Sequence, residues 1–411
     1  MTQAQALAFE PNAQAERRIG VSFAASGVKS VDLQLVTTRE AFDALEPQWN
    51  TLFACSADAS RLFLGFNWNW HWCNHYLGKD GSTLAVITAR HEGRLVMVWP
   101  LVQQRSSGLR IISFMGAPVT QYGDVLIDRN GPDHRAWLKQ GWDYVLATLH
   151  PNIVLLRKVR EDAAIAGVMR QIGAADVNPQ RAPYIDLQGT PDFETFERSF
   201  ASKDRKNRRR KRKRLEETGT VGFRMVTGAT EMAASIRQAM QQKRSWLDRQ
   251  QLISTALADE RFDAFFSAAA TSSERPAGCE IFEFTLDGRA IATKITVTDG
   301  THRGLHFTAY DKATEKHSPG SLMFEEMIAA AIAGGITNFD FLAPAAPYKL
   351  EWAGTTVAVA DYAVPVGMVG RFYHDVYLRR IRPRLQQIAK TGPAPVRRLM
   401  SEAVRFLGRR A

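Results

Sequence analysis

The order of elements in this 411-residue chain predicts an α+β fold built from two related units. Three observations lead there. Residues 31–187 and 188–370 each read as helices, a three-strand antiparallel meander, a helix and a strand. In the second unit, Asp287-Gly288 lies between alternating apolar runs, the strongest short hairpin signal available to a sequence. The stretch 371–411 is basic, and its apolar residues Val396, Leu399, Met400, Ala403, Val404 and Leu407 fall on one helical stripe.

Each element follows in order. Residues 1–30 are rich in Ala, Gln and Ser, lack periodicity and read as a loose extension. Val31–Val36 alternates as a strand, Arg39–Phe53 has helical spacing, and the tryptophan-rich run from Phe66 to Trp72 leads into Tyr76 as a second helix. Strand-like runs at Leu84–Ala89, Arg94–Pro100, Leu109–Phe114 and Val125–Ile127 flank turn signals at His91-Glu-Gly93 and Ser106-Ser-Gly108. A helix at Arg135–Leu149, a strand at Asn152–Leu156 and a helix at Asp162–Ile172 follow, and the unit closes near Tyr184–Leu187.

The second unit opens with Phe193–Leu215, read as one long basic helix, then a strand at Val221–Val226 and helices at Ala229–Trp246 and Asp259–Ala269. Strands are expected at Glu280–Leu286, Ala290–Val297 and Gly304–Tyr310. After a loop, Asp311–Gly320, a helix over Ser321–Ala333 is stopped by Gly334-Gly335, and strands at Ile336–Leu342 and Thr355–Tyr362 complete the set.

Charge is concentrated. The net +11 hides two segments, 203–214 and 371–411, that each carry +9, so the remainder is acidic at −7. Such segments suit phosphate-bearing partners. The amphipathic tail fits an anionic membrane surface. The 203–214 run is too dense in charge to pack a core and fits transfer RNA or other nucleic acid, anionic lipid, or cofactor phosphates, without interleaved aromatics for base stacking. Three cysteines without a C-x-x-C pair argue against a disulfide framework and for a reducing compartment. The first thirty residues carry Glu10 and Glu16 and no continuous apolar run, so no secretory signal is expected, and no run is long enough to span a bilayer. The expected location is cytoplasmic, peripheral on the inner membrane. His71 and His75 are one helical turn apart beside Cys73, but no third ligand is near, so no metal site is expected. Neither a nucleophile elbow nor a Walker A loop is present.

Several strings carry a family resemblance: Leu305-His-Phe-Thr-Ala-Tyr-Asp311, His317-Ser-Pro-Gly-Ser-Leu322, Phe339-Asp-Phe341, Tyr348-Lys-Leu-Glu-Trp352, and the basic run 205–215 ending in Glu-Glu-Thr-Gly219. In the first unit, Val98-Trp-Pro-Leu101 and Gly116 with Tyr122-Gly-Asp124 add to them. Over about residues 31–365 the chain resembles the CelD-like, FemABX-like branch of the GNAT superfamily. The resemblance implies two tandem GNAT-like acyltransferase folds, catalysis in the second, acyl-CoA as co-substrate and no permanently bound cofactor. More narrowly, the chain resembles bacterial ceramide synthases, which implies N-acylation of a sphingoid-type long-chain base. The alternatives are acetyl or aminoacyl transfer to a cell-envelope precursor or exopolysaccharide, and a nucleic-acid-binding or scaffold protein on a degenerate GNAT fold.

Amide formation from a thioester requires a neutral amine, charge stabilisation at the thioester oxygen, a proton for the thiolate and a grip on the cofactor phosphates. His317, Ser318, Gly320 and Ser321 combine a turn with a helix N-terminus, where N–H groups and the helix dipole favour a pyrophosphate. The frame departs from the usual Arg/Gln-x-x-Gly-x-Gly/Ala at His317 and Leu322. By the resemblance, Tyr310 protonates the thiolate and His306 is the base; alternation puts both on one strand face with Thr308. Asp340 sits between apolar neighbours in a strand, where a lone carboxylate is costly, so it must be paired or functional. Lys349 is the expected partner, as a salt bridge or as part of an amine-deprotonating pair.

Overall fold

A computed structural model describes residues 31–56, 59–106, 108–131, 133–252 and 254–391. The amphipathic tail expected over Val396–Leu407 lies outside them. The strands among the described residues are β1 (Asp32–Val36), β2 (Thr83–Leu84), β3 (Val86–His91), β4 (Arg94–Trp99), β5 (Leu101–Ser106), β6 (Leu109–Phe114), β7 (Leu126–Ile127), β8 (Ile153–Arg160), β9 (Gln180–Asp186), β10 (Val221–Met225), β11 (Cys279–Leu286), β12 (Arg289–Thr298), β13 (His302–Tyr310), β14 (Asn338–Asp340) and β15 (Thr355–Pro365).

Hairpins form where short-range chemistry demands them. Asp287 and Gly288 both adopt positive φ (49° and 78°), as do Glu92 and Gly93 (51° and 78°). Two successive positive-φ residues match the strand twist in a two-residue hairpin, so β11–β12 and β3–β4 close tightly. Pro100 lies between β4 and β5, lacks an N–H, and marks the point where the chain leaves one sheet for another.

The small sheet has the order β1-β3-β4-β7, and the large one β10-β11-β12-β13-β14-β9-β15-β8-β6-β5-β2. The two halves repeat one motif. β6 and β8 are parallel over three pairs, Ile111↔Ile153 to Ser113↔Leu155, and flank the helix His134–Leu149. β13 and β14 are parallel over three pairs, His302↔Asn338 to Gly304↔Asp340, and flank the helix Pro319–Ala333. The fold is α+β, as the element order predicts. The last strands of the halves are exchanged: β9 pairs with β14, and β15 pairs with both β9 and β8. The helix Phe66–Tyr76 crosses the same boundary, with Trp68 set 4.9 Å from Phe265 of the helix Arg261–Thr271.

The basic stretch differs from its expectation twice. It forms two helices, Phe193–Arg198 and Ser202–Glu216, because Asp192 caps the first and Ser199–Phe200 turn back onto it. It also packs. Arg208 stacks 4.6 Å from the Phe200 and Trp352 rings, and Arg212 pairs with Glu325 and Glu326 at 2.9 Å each. Planar guanidinium groups stack on aromatic rings while still pairing with carboxylates, so arginine density did not forbid packing.

The helical run Gly367–Thr391 docks through Tyr373, His374 and Leu378 beside Ile111, Ile153 and Ala363. Gly370 permits this approach, since a Cβ there would lie 1.8 Å from the Asn152 carbonyl oxygen. Its other side leaves Met368, Val369 and Phe372 exposed next to Arg371. No helix among the described residues is long and apolar enough to cross a membrane.

Candidate active site

β13 and β14 part company. Their pairing stops at Gly304↔Asp340, while β13 continues six residues to Tyr310. β14 ends because Leu342 turns to φ 58° and its N–H bonds back to Asp340 Oδ1 at 2.7 Å. Past Gly304, the edge of β13 that faced β14 has no strand partner among the described residues. Backbone N–H and C=O groups on such an edge are open to a ligand laid along it.

The first half bridges this opening. Val119 accepts a hydrogen bond from His306 Nε2 on β13 at 2.5 Å. Three residues on, the Tyr122 hydroxyl lies 2.9 Å from both Asp340 oxygens on β14 and donates between them. Segment 119–122 therefore spans from one side of the opening to the other. Lys158 supports it from beneath, donating to Gln121 Oε1 at 2.6 Å and to the Thr120 carbonyl at 3.3 Å. Burial pulls the Lys158 ammonium down to about 8.

Asp340 is bonded, but not to Lys349. Its partners are Tyr122, the Leu342 N–H and Arg160, whose Nη1 donates at 2.7 Å. Arg160 turns its other face on Asp162 in a bidentate pair at 2.9 and 2.8 Å. Burial raises the Asp340 carboxyl, against the pull of Arg160, the Leu342 N–H and Tyr122. Lys349 instead donates to the Leu342 and Pro344 carbonyls, 2.9 Å each, and clamps the turn that ends β14. Burial lowers it to about 8, with the Asp340 charge opposing. The expected Asp340–Lys349 salt bridge is replaced because β8 reaches Asp340 first from the other half.

His306 is half-buried among Phe63, Trp68, Phe262 and Phe266. Since a carbonyl only accepts, Nε2 carries the hydrogen, and the buried Nδ1 is left with a lone pair and no partner. Burial pushes the ring down to about 4, with the Val119 bond opposing. A ring held this far down is uncharged near neutral pH and a weak base. Tyr310, at the end of β13, donates to Glu315 Oε1 at 3.0 Å, and burial and that carboxylate hold its hydroxyl above the ordinary value.

His317, Ser318, Gly320 and Ser321 come together at one corner. A short 3₁₀ turn, Lys312–His317, capped by Asp311, brings the chain to Ser318 in the left-handed region, and Pro319 starts the helix. The Ser321 and Leu322 N–H groups both bond to the Ser318 carbonyl. The corner thus presents the Gly320 N–H, two hydroxyls and the His317 ring, all half-buried. A Cβ at Gly320 would meet only Thr308, at 3.9 Å. Gly320 is therefore not required by the fold.

A surface cleft of about 560 Å³ along β9 and β15, lined by Phe196, Phe200 and Trp352, includes none of these polar groups. His71 and His75 bond to the Arg275 and His71 carbonyls, and among the described residues no His, Cys, Asp and Glu group could hold a metal ion. The sequence reading missed Tyr122 and Arg160 as site residues, and Lys294, a fully buried lysine in the apolar run Ile291–Val297. The signal for Lys294 was the one used for Asp340: a charged residue inside a strand whose neighbours are uncharged.

Residues 202–350, which contain the opening and the helix corner, match the family model described as an acetyltransferase (GNAT) domain. Over this range the chain is similar to a GNAT acetyltransferase domain, which supports acyl transfer as its activity. Among solved structures, it is similar to the C-terminal domain of a protein described as a lysylphosphatidylglycerol synthetase from Agrobacterium fabrum, at 9% identity and a TM-score of 0.51, over 86% of this chain and 99% of that one. It is similar to FemX at 10% identity and a TM-score of 0.53, over 75% of this chain and 93% of that one. At these identities the likeness speaks to the fold alone. No curated protein matches the chain in sequence. Within the matched range, β13, β14 and the helix Pro319–Ala333 form the opening, and the first half supplies Val119, Tyr122 and Arg160 from outside it.

Proposed function

We propose that the chain transfers a fatty acyl group from acyl-CoA to the amine of a membrane lipid, with a sphingoid-type long-chain base as acceptor, at the opening between β13 and β14. The observation that carries this reading is the free edge of β13 beside the helix corner 317–321. A pantetheine arm is an extended amide chain and fits an unpaired strand edge. The Gly320 N–H, the Ser318 and Ser321 hydroxyls and His317 would take the pyrophosphate.

The neutral amine attacks the thioester carbonyl, the N–C bond forms, and the oxygen gains charge that N–H groups of β13 stabilise. Collapse then breaks the C–S bond, and the sulfur leaves with the electron pair and takes up the proton that the nitrogen gives up. His306 Nδ1 accepts a hydrogen bond from the amine and aims its lone pair. Tyr310 stands at the end of β13 to shield the departing sulfur. The lipid acceptor is supported by the exposed Met368, Val369 and Phe372 beside Arg371, Arg379 and Arg380, an apolar ridge with bases suited to an anionic bilayer.

A second reading is aminoacyl transfer from a charged transfer RNA. It is favoured by the shared fold with FemX and the lysylphosphatidylglycerol synthetase domain, and by the outward bases Lys206, Arg210, Lys211 and Lys213. Incubating purified protein with palmitoyl-CoA and sphinganine separates the two. Release of free thiol with formation of the amide is expected. Turnover that appears only with charged transfer RNA would establish the second reading.

A further inference from the structure

Lys294 projects from β12 into the interior with no exposed surface and no hydrogen-bond partner for its Nζ. Its pairing partner on β13 is Thr308, within the part of that strand whose far edge is free. The Nζ rests 3.1 Å from the centre of the Phe324 ring, on the helix Pro319–Ala333 that follows β13. Phe324 in turn contacts Phe341 and Tyr348, which follow β14 (ring centres 5.1 and 6.2 Å). Lys349, beyond β14, is within electrostatic reach of Lys294, as is Lys243 from the helix Ala229–Arg249. The amine thus lies on the helix-facing side of the β13–β14 opening, over an aromatic floor that joins its two sides.

We propose that Lys294 is a catalytic residue of the acyl transfer, the group that carries the reaction's proton from the acceptor nitrogen to the departing sulfur. This rests on the acyl-transfer reading above. As the N–C bond forms, the acceptor nitrogen gives up one proton, and the Lys294 amine takes it. As the C–S bond breaks, the sulfur keeps the electron pair and receives that proton. The products are the amide and a neutral thiol, and Lys294 returns to its starting state. Neither an ammonium nor a thiolate is left in an enclosed site, where each would be costly.

A buried lysine is fit for this only if it is uncharged at rest. Burial, then Lys349 and Lys243, hold Lys294 well below the ordinary lysine value. Of the carboxylates on the facing elements, Asp340 is committed to Arg160 and Tyr122, Glu283 on β11 to Arg224 and Ser235, and Glu325 and Glu326 to Arg208 and Arg212. A structural lysine would be expected to have a carboxylate or carbonyls around it, as Lys349 does.

The test compares the full chain with Lys294→Met, which keeps the side chain's length and apolar stem. Two donors are used with sphinganine: palmitoyl-CoA, and a palmitoyl aryl thioester whose thiolate is stable without a proton. With palmitoyl-CoA, kcat should fall by about 100-fold or more with KM within a few-fold, in the range of general acid–base catalysis. With the aryl thioester the loss should shrink to under about tenfold. The melting temperature should stay level or rise, since an unpartnered buried amine is removed. Equal losses with both donors, unchanged turnover, or a melting temperature lowered in step with activity would each overturn the role of Lys294. A wild-type protein that turns over neither donor would instead overturn the acyl-transfer reading, and this role with it.

Discussion

Arg160 Nη1 donates to Asp340 Oδ2 at 2.7 Å, with both side chains almost wholly buried, and this bond ties β8 of the first half to β14 of the second. Tyr122 meets the same carboxylate and stacks its ring 5.0 Å from the Arg160 guanidinium. Removing Asp340 leaves the Tyr122 hydroxyl and the Nη1 face of Arg160 buried without an acceptor, with Asp162 holding only the other face of the guanidinium. Asp340→Ala should therefore lower unfolding stability by about 3–5 kcal/mol in denaturant titration. Replacing the pair together, Arg160→Met with Asp340→Leu, should recover a large part of that loss. An Asp340→Ala protein as stable as the parent would refute the tether.

Gly320 is predicted to matter to the donor and not to the fold. Space is available for a side chain there, and an acidic residue at a helix start is favourable in itself. Gly320→Asp should leave the melting temperature within about 2 °C while raising KM for acyl-CoA more than tenfold, by repulsion of the phosphates. Steady-state kinetics with palmitoyl-CoA and a thermal melt measure both; an unchanged KM would move the phosphates elsewhere.

His306 predicts an acid sensitivity. In the folded chain it binds a proton only near pH 4, whereas an unfolded imidazole does so near 6.5. As pH falls, the unfolded state is protonated first. Stability contributed by this site is therefore complete above about pH 6.5 and is lost between 6.5 and 4, by on the order of 3 kcal/mol. The stability of wild type relative to His306→Phe should decline over that window. A difference that is flat with pH would show the ring to be freely solvated.

The ridge at 367–372 predicts lipid binding separable from chemistry. Val369→Glu and Phe372→Glu should reduce co-sedimentation with phosphatidylglycerol vesicles by roughly tenfold or more, since each replaces an exposed apolar side chain that would enter the bilayer by a charge repelled from its surface. Turnover of a short, water-soluble amine should be unaffected. Vesicle binding that survives both changes would locate the lipid contact on another surface.

Arg208 predicts that the basic helix is partly structural. Stacked between Phe200 and Trp352 and paired with Glu325, it should cost about 1–2 kcal/mol when changed to Ala. The exposed Lys206 should cost under about 0.5 kcal/mol on the same change. Chemical denaturation of the two variants makes the comparison.

The sequence by itself determined what depends on a few neighbouring residues. Asp287-Gly288 and Glu92-Gly93 dictate tight turns because the glycine of each pair takes positive φ freely, and Ser-Pro-Gly starts a helix, expected from Ser321 and begun two residues earlier at Pro319, because proline needs no N–H bond there. The repeated order of elements followed from such local signals and placed His306, Tyr310 and the 317–321 corner in one region. Only the tertiary structure decided which charges meet. Asp340 and Lys349 are close in sequence, but the exchange of β9 and β15 brings β8 to Asp340, so its partners come from 180 and 218 residues away. Lys294 has no hydrogen-bond partner, since the carboxylates on the facing elements are already taken. The packing of Arg208 likewise depends on Trp352, which the local sequence could not supply. Backbone preferences act over a few residues, whereas the partner of a buried charge is whichever group the completed sheet sets beside it.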